Sequence, residues 1–395
     1  MSGLLTAIAV PGIDRIHSGD DLVRAIATAL DRARIQPKHG DTVVVASKIV
    51  AKAEGATERA AFRADFEDLV TDHSRGTVAS RRYGRRPDGG VVTTRVVRTR
   101  LGTVQAAAGL DRSNTEGADD EVLCLPVDPD ASAARLRSGL QAWFRVDLAV
   151  LVTDTVSRPW RQGVSDVVLG AAGFEVLHSL RGVADDAGRP MAVTVRALAD
   201  EVAAAADLVR GASGGLPVAV VRGLAEHVGD RFERVPGASA GADLVRDPAT
   251  DWFRWGHVEA IQRSLGATED VDPAPHGDGE DDLLARVTRA LQVTRAGRDR
   301  TPGQAHWRLQ VTGAGALVRI TPAPEADRPR EASTGGHPLV EAALGLGALV
   351  DRLHTALFAE DLVGSAQFHW GTSGIPTGAD VQVRVPAEPF TGESR

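Results

Sequence analysis

The sequence predicts a mixed α+β fold divided into two domains, and three observations carry that expectation. Short runs of β-branched residues alternate with stretches whose apolar residues recur every three to four positions. One such run, Leu148 to Val152, gives way at once to Thr153, Asp154 and Thr155, and the carboxyl ends of strands are where open α/β sheets bind ligands. Finally, Gly266 to Asp282 is rich in Asp, Glu, Gly and Pro and almost free of large apolar residues. It cannot bury enough surface to offset its ordering entropy, so a flexible linker is expected there. The expected organisation is a first domain over 1–265, a linker over 266–282 and a smaller α+β domain over 283–395.

The elements follow in chain order. Leu4 to Val10 reads as a first strand. Asp20 to Arg34 has helical spacing through Leu22, Val23, Ile26, Ala29 and Leu30, and starts after a capping Ser18-Gly-Asp. Thr42 to Ala46 is a buried strand, and Ala51 to Val70 is read as mostly helical. The arginine-rich Arg81 to Arg86 is read as a solvated turn, and Val91 to Gly102 as strand or hairpin. Ala131 to Trp143 is an amphipathic helix, followed by the strand Leu148 to Thr153. An alanine-rich helix covers Glu201 to Val209, and Pro217 to Arg222 is another strand. In the second region Trp307 to Thr312 and Leu317 to Thr321 form a hairpin. Pro338 to Phe358 is one or two apolar helices, and Val381 to Val385 a last strand.

Composition narrows the function classes. The 395 residues carry a formal net charge of -8, against the basic face a nucleic-acid binder would show. A single cysteine, Cys124, excludes an intramolecular disulfide and a multi-cysteine zinc site. No run approaches the roughly 20 apolar residues of a membrane span, and no signal peptide is visible, so a cytoplasmic protein is expected. His178, His227 and His257 have no HExxH-like spacing, and no histidine metal site is expected.

The motifs point to a phosphate site without a standard phosphate-binding loop, since no GxxxxGK[ST] occurs and no GxGxxG follows a strand. Lys48 and Lys52 are four apart after the strand Thr42 to Ala46, so one helix face carries both ammonium groups. Two like charges there suit an anion, and a helix start offers backbone N–H groups to a phosphate; a solvated pair with Glu54 as partner fits the same spacing. Asp111, Ser113 and Asn114 place three oxygen-bearing side chains in a turn of small residues. Hard cations take such ligands, and Asp111 with Asp154 could be the pair, although an Asx-turn has the same chemistry. Arg158, Trp160 and Arg161 crowd the loop after Asp154 and Thr155. Ser165-Asp166, Arg181 with Asp185 and Arg189, and Asp200-Glu201 read equally well as surface pairs.

Taken together, these motifs resemble the coenzyme F420-0:L-glutamate (γ-glutamyl) ligases, in their two-domain form. The resemblance runs over about residues 8–225. It includes Val10-Pro-Gly-Ile13, Gly19-Asp-Asp-Leu22, Ser47 to Gly55, Ala108 to Asn114 and Leu125 to Ser132. It continues through Thr153-Asp-Thr155 with Arg158-Pro-Trp-Arg161, Ala199-Asp-Glu201 and Pro217 to Gly223. The resemblance implies a fold of the family's own, and a GTP- and Mg²⁺- or Mn²⁺-dependent ligase that adds L-glutamate to coenzyme F420-0 through an acyl phosphate. It also implies a cytoplasmic homodimer. Ile13, Asp14, Arg15, Ile16, Ser47, Lys48, Lys52 and Asn114 would contact GTP, together with the loop Arg210, Gly211, Ala212, Ser213 and Gly214. Asp111 and Asp154 would hold one metal, and Thr155 would help hold a second. Lys52, Asp154 and Arg158 would carry the chemistry.

The chain departs from the family pattern at four places. Leu101 stands where the family commonly has His, and Val164-Ser165 where it has Gln-Thr. Arg210-Gly211-Ala212 stands where it has Met-Gly and then a polar residue. Ala212 offers no oxygen to a second metal, so a paralogue that binds nucleotide or deazaflavin as a regulatory or partner subunit is the alternative expectation. A different acceptor with the same chemistry is a further one. The C-terminal region resembles flavin-binding nitroreductases only in outline; it lacks their opening arginine-serine signature, and bound FMN is not expected.

Overall fold

The computed structural model describes residues 3–85, 91–112, 120–157, 159, 161–211, 215–232, 240–267, 274–275, 283–295, 307–313, 317–323, 338–360, 362–372 and 376–385. The chain divides into two compact units that are not sequential: Met1–Thr77 with Val96–Trp252, and Val78–Arg95 with Phe253–Arg395. Most of the acidic segment 266–282 lies outside the described residues.

In the first unit the elements are β1 (Thr6–Ala9), α1 (Leu22–Arg32), β2 (Asp41–Ala46), α2 (Ser47–Ala53), β3 (Thr57–Arg59) and α3 (Arg63–Asp72). They continue with β4 (Ser74–Arg85), β5 (Val91–Thr99), β6 (Val104–Ala106), β7 (Glu121–Leu123), α4 (Pro129–Phe144), β8 (Leu148–Ser157) and β9 (Val164–Ala172). Two-residue strands β10 (His178–Ser179) and β11 (Val195–Arg196), helix α5 (Leu198–Arg210) and β12 (Val218–Arg222) complete it. The chain passes to the second unit within β4 and returns within β5.

The central sheet has strand order β1-β12-β2-β8-β9. Only β2 and β8 are parallel; the other neighbours are antiparallel. Its inner strands are apolar on both faces, as a doubly covered sheet requires. Val43, Val45, Val150, Val152, Val218 and Val220 pack against Ile26 and Leu30 of α1 and Leu136 and Leu140 of α4. The alternate residues Val44, Ala149, Leu151 and Ala219 pack against Leu198, Val202 and Ala206 of α5. The result is helix, sheet, helix in three layers, a mixed α/β arrangement.

The second unit adds α6 (His257–Ser264), β13 (Ala274–Pro275), α7 (Leu283–Arg295), β14 (Trp307–Thr312), β15 (Leu317–Pro322), α8 (Pro338–Ala359), β16 (Val363–Trp370) and β17 (Pro376–Arg384). An antiparallel sheet of order β14-β15-β17-β16 carries α7 and α8 on one core that includes Leu291, Ile320, Leu349, Leu353 and Val381. Arg289 and Glu360 form a buried ion pair at its margin. No helix among the described residues is long and apolar enough to cross a membrane.

Four expectations are corrected. The stretch Ala51 to Val70 is not one helix: Gly55, with left-handed backbone at φ 67°, ends α2, and β3 intervenes before α3. The arginine run from Arg81 is not a turn but the end of β4, with Arg86 outside the described residues. Helix α1 is capped by Asp21, whose carboxylate accepts from the Arg24 N–H, while Asp20 takes the His17 N–H. Strand β8 does not stop at Thr153 but runs to Ser157 in a hairpin with β9.

Candidate active site

The parallel ladder of β2 and β8 runs in register from Asp41 opposite Leu148 to Ala46 opposite Thr153. The next pair beyond it is Ser47 and Asp154. Ser47 Oγ donates to Asp154 Oδ1 at 3.2 Å, and Gln105 Nε2 donates to Oδ2 at 3.1 Å. Asp154 therefore sits where β8 loses its parallel neighbour, although β8 itself continues. Because α2 starts at Ser47, its first two turns carry Lys48 and Lys52 to the same place.

Side-chain alternation puts the two halves of the site on opposite faces of β8. Asp154 continues the row of Val150 and Val152, whereas Thr153 and Thr155 continue the row of Ala149 and Leu151. A register shift between Val152 and Thr153 sets Thr155 opposite Asp166 on β9. Asp166 accepts from Thr155 Oγ1 at 2.7 Å and from Thr153 Oγ1 at 2.9 Å. Its Oδ2 also pairs with Arg210 Nη2, which donates in turn to Thr153 Oγ1 at 3.1 Å. This network closes the end of the core beneath α5.

One cavity of about 390 Å³ joins the two faces. Ile13, Asp14, Arg15 and Ile16 line it from the segment after β1. Ser47, Lys48 and Lys52 line it from α2, Asp154 and Thr155 from β8, and Arg210 and Gly211 from the end of α5. Asp111 is not among the lining residues; its Oδ2 lies 2.5 Å from Lys48 Nζ, which ties it to the cavity at one remove. Asn114, Arg158, Ala212, Ser213 and Gly214 lie outside the described residues.

The loop that holds Asp111 is unusual in its backbone. Ala107, Ala108 and Gly109 all have left-handed φ, at 49°, 58° and 72°. Asp111 then exchanges both backbone hydrogen bonds with Leu123, at 2.9 and 2.8 Å. Two alanines in that conformation are costly, and such backbone persists only where surrounding structure over-determines it.

Charge is concentrated here. Burial pushes the Asp154 carboxyl up to about 6, and the Asp166 carboxylate adds to the rise. The Thr155 N–H, the Ser47 hydroxyl and Lys48 act in the opposite direction. Asp207, on α5 and also lining the cavity, is raised by burial and by Asp166. Lys48 and Arg210 offset part of this rise, on Asp154 and Asp207 respectively.

Gln105 and Asp207 were not singled out by the sequence; Gln105 lies on a three-residue strand that carries no motif. Other quoted charges hold the fold. Asp128 caps α4 through the Ala131 N–H, and Asp130 accepts from the Ala171 and Gly241 N–H groups. Asp200 accepts from the Val168 N–H, and Glu201 pairs with Arg196. Asp185 closes its own turn through the Ala187 and Arg189 N–H groups.

Comparison with known proteins bears on this unit. A family model described as F420-0:Gamma-glutamyl ligase matches residues 12–223, which include every described residue lining the cavity. The coenzyme F420:L-glutamate ligase of Halobacterium salinarum is 39% identical over 269 residues, covering 62% of this chain and 97% of that protein. That of Natronomonas pharaonis is 36% identical over 267 residues, covering 65% and 100%. That of Haloarcula marismortui is 35% identical over 274 residues, covering 64% and 99%. More than a third of this chain has no counterpart in these relatives.

Proposed function

We propose, from the premise that this chain belongs to the F420-0:gamma-glutamyl ligase family, that it joins L-glutamate to the terminal carboxylate of F420-0 in coenzyme F420 biosynthesis, with GTP as the activating nucleotide. The observation that carries the reading is the convergence of Ser47, Lys48, Lys52, Asp154 and Thr155 with the Ile13–Ile16 segment around one cavity.

Two bond changes suffice. An oxygen of the F420-0 carboxylate attacks the γ-phosphorus of GTP, and GDP leaves, giving an acyl phosphate. The neutral glutamate amine then attacks the acyl carbon, the amide forms with one N–H retained, inorganic phosphate leaves and the amine's other proton passes to a base or to water. Phosphoryl transfer of this kind needs positioning and neutralisation of oxygen charge more than a protein nucleophile. Lys48 and Lys52 supply fixed positive charge on one helix face, and Ser47 orients the Asp154 carboxylate between them and β8.

The donor set fits a hard divalent cation, Mg²⁺ or Mn²⁺: Asp154 is a buried carboxylate raised by burial and by a neighbouring negative charge, and oxygen ligands suit such ions. Asp154 and Asp111 would hold one, and Thr155 would help hold another; the ion supplies neutralisation of phosphate oxygens. Incubating purified protein with GTP, Mn²⁺, L-glutamate and F420-0 tests the reading. Glutamylated product and GDP are expected together, and the absence of both refutes it.

One observation favours a second reading, a nucleotide- or deazaflavin-binding paralogue without turnover. Asp166, the carboxylate facing Thr155, is already neutralised by Arg210. Calorimetry that finds tight F420-0 or GDP binding in protein with no turnover supports this alternative.

A further inference from the structure

The structure gathers a second group of ligating side chains in the first unit, away from the cavity. Glu175 follows β9, His178 begins β10, and His227 lies in the 3-10 turn Ala225–His227 after β12. Their ligand atoms all lie within 4.8 Å of one another. Both imidazoles address the same carboxylate oxygen: His178 Nδ1 is 3.1 Å and His227 Nδ1 2.7 Å from Glu175 Oε2. The rings stand edge to face with centroids 4.9 Å apart. None of the three lines the cavity that holds Asp154.

We propose that Glu175, His178 and His227 form a divalent transition-metal site fitted to Zn²⁺. Two imidazole nitrogens and one carboxylate oxygen are a borderline donor set that suits zinc and does not suit Mg²⁺ or Ca²⁺. Three protein ligands leave a fourth position for water. The side chains are 21%, 27% and 14% exposed, so an ion can reach them from solvent.

The backbone holds the ligands in place before any ion arrives. Phe174 bridges Val228, the Glu175 N–H donates to the His227 carbonyl at 3.0 Å, and the Gly229 N–H donates to the Gly173 carbonyl at 3.0 Å. Phe174 and Val228 are buried beneath them. Such anchoring is what a preformed metal site needs. On His227 the Nε2 atom lies 3.9 Å from Glu226 Oε1, a carboxylate on the side where supporting partners of metal-bound histidines sit.

The other three-ligand group among the described residues, Glu58, His73 and Cys124, lacks these properties. There one imidazole atom, His73 Nε2, faces both Glu58 and Cys124, and burial pushes the thiol up to about 11. A thiol held protonated is a poor ligand.

The test is a titration of the chelator-stripped full chain with Co²⁺ in millimolar Mg²⁺, which keeps hard-oxygen sites filled, followed by competition with Zn²⁺. One equivalent of Co²⁺ with the intense visible absorption of a four-coordinate ion, displaced by Zn²⁺, is expected. His178→Ala and His227→Ala should each weaken uptake by more than the roughly 10–100-fold that loss of a supporting partner costs. His178→Cys, which restores a ligand, should keep it. No uptake by the wild-type chain overturns the proposal, as does unchanged uptake by both alanine variants.

Discussion

Arg210, the last residue of α5, closes an ion pair on Asp166 in which both side chains are only 4% exposed. The pair sits at the end of the core under α5, and Thr153 bridges it to β8. Arg210 Nε and Nη1 find no hydrogen-bond partner among the described residues. Breaking a buried pair from one side leaves an uncompensated charge, which costs about 3–5 kcal/mol. Arg210→Met is therefore expected to lower stability by that amount in urea unfolding. The double variant Arg210→Met with Asp166→Asn should recover most of it, because neither partner is then left charged and alone. Turnover of the single variant also separates the two functional readings: if Arg210 silences the site, the variant gains ligase activity.

Asp154 gives a pH signature of unusual sign. Its carboxyl is raised from 3.8 to about 6, so the folded chain holds a proton that the unfolded chain has released. Between those values the folded state binds more protons, and stability falls as pH rises through about 4 to 6, then levels off. The displacement corresponds to about 3 kcal/mol, an upper figure for a side chain that still touches solvent. Asp154→Asn should be more stable than the parent above pH 6 and no more stable below pH 4, with catalysis lost. Thermal unfolding against pH, in metal-free buffer, checks both arms. Adding Mn²⁺ should stabilise the parent above pH 6 and leave the Asn variant nearly unmoved.

The residues that made the sheet legible were those with one physical job. Val43 to Val45, Leu148 to Val152 and Val218 to Val221 are buried on both faces, and continuous β-branched runs say so directly. Polar chemistry hid what came next: β8 runs on through Asp154 to Ser157 because β9 pairs with it, and that partner lies beyond a loop. The end of α2 was signalled by Gly55 and missed because apolar spacing resumes in α3. Arg210, expected only as a nucleotide contact, could also have been placed in the core. It continues the buried stripe Ala199, Ala203 and Ala206 at helical spacing, so a buried arginine demanded a buried acid. Glu175, His178 and His227 could not, since the fold alone brings His227 back to a turn nearly fifty residues earlier. The same holds for Gln105, whose contact with Asp154 spans separate strands.

Gly109 links that distant contact to the Asp111 loop. Its φ of 72° lies in the left-handed region, and a Cβ added there would strike Gln105 Oε1 and come within 2.9 Å of the Leu125 side chain. Gly109→Ala is expected to cost about 1–2 kcal/mol from the backbone alone. It should also push Gln105 off Asp154 and reduce turnover on the order of 10–100-fold, as small misplacements in a catalytic site do. Gln105→Ala provides the comparison. It should lose turnover similarly without the backbone strain, so equal stability losses in the two variants would contradict the account.

Lys48 pairs with Asp111 at 2.5 Å, yet its side chain is 46% exposed. Exposed pairs of this kind contribute less than about 1 kcal/mol, so Lys48→Ala should hardly change stability. Nucleotide binding should respond far more. A hydrogen bond to a charged group is worth about 1.5–3 kcal/mol, or roughly 10–100-fold in GDP affinity by calorimetry. Lys48→Arg keeps the charge but not the compact ammonium, and should restore only part of it. Lys48 also lowers the Asp154 carboxyl from across the site. Removing it should extend the upper end of the pH range in which stability falls, with the lower end unchanged, while removing a lysine that touched nucleotide alone would leave both ends in place.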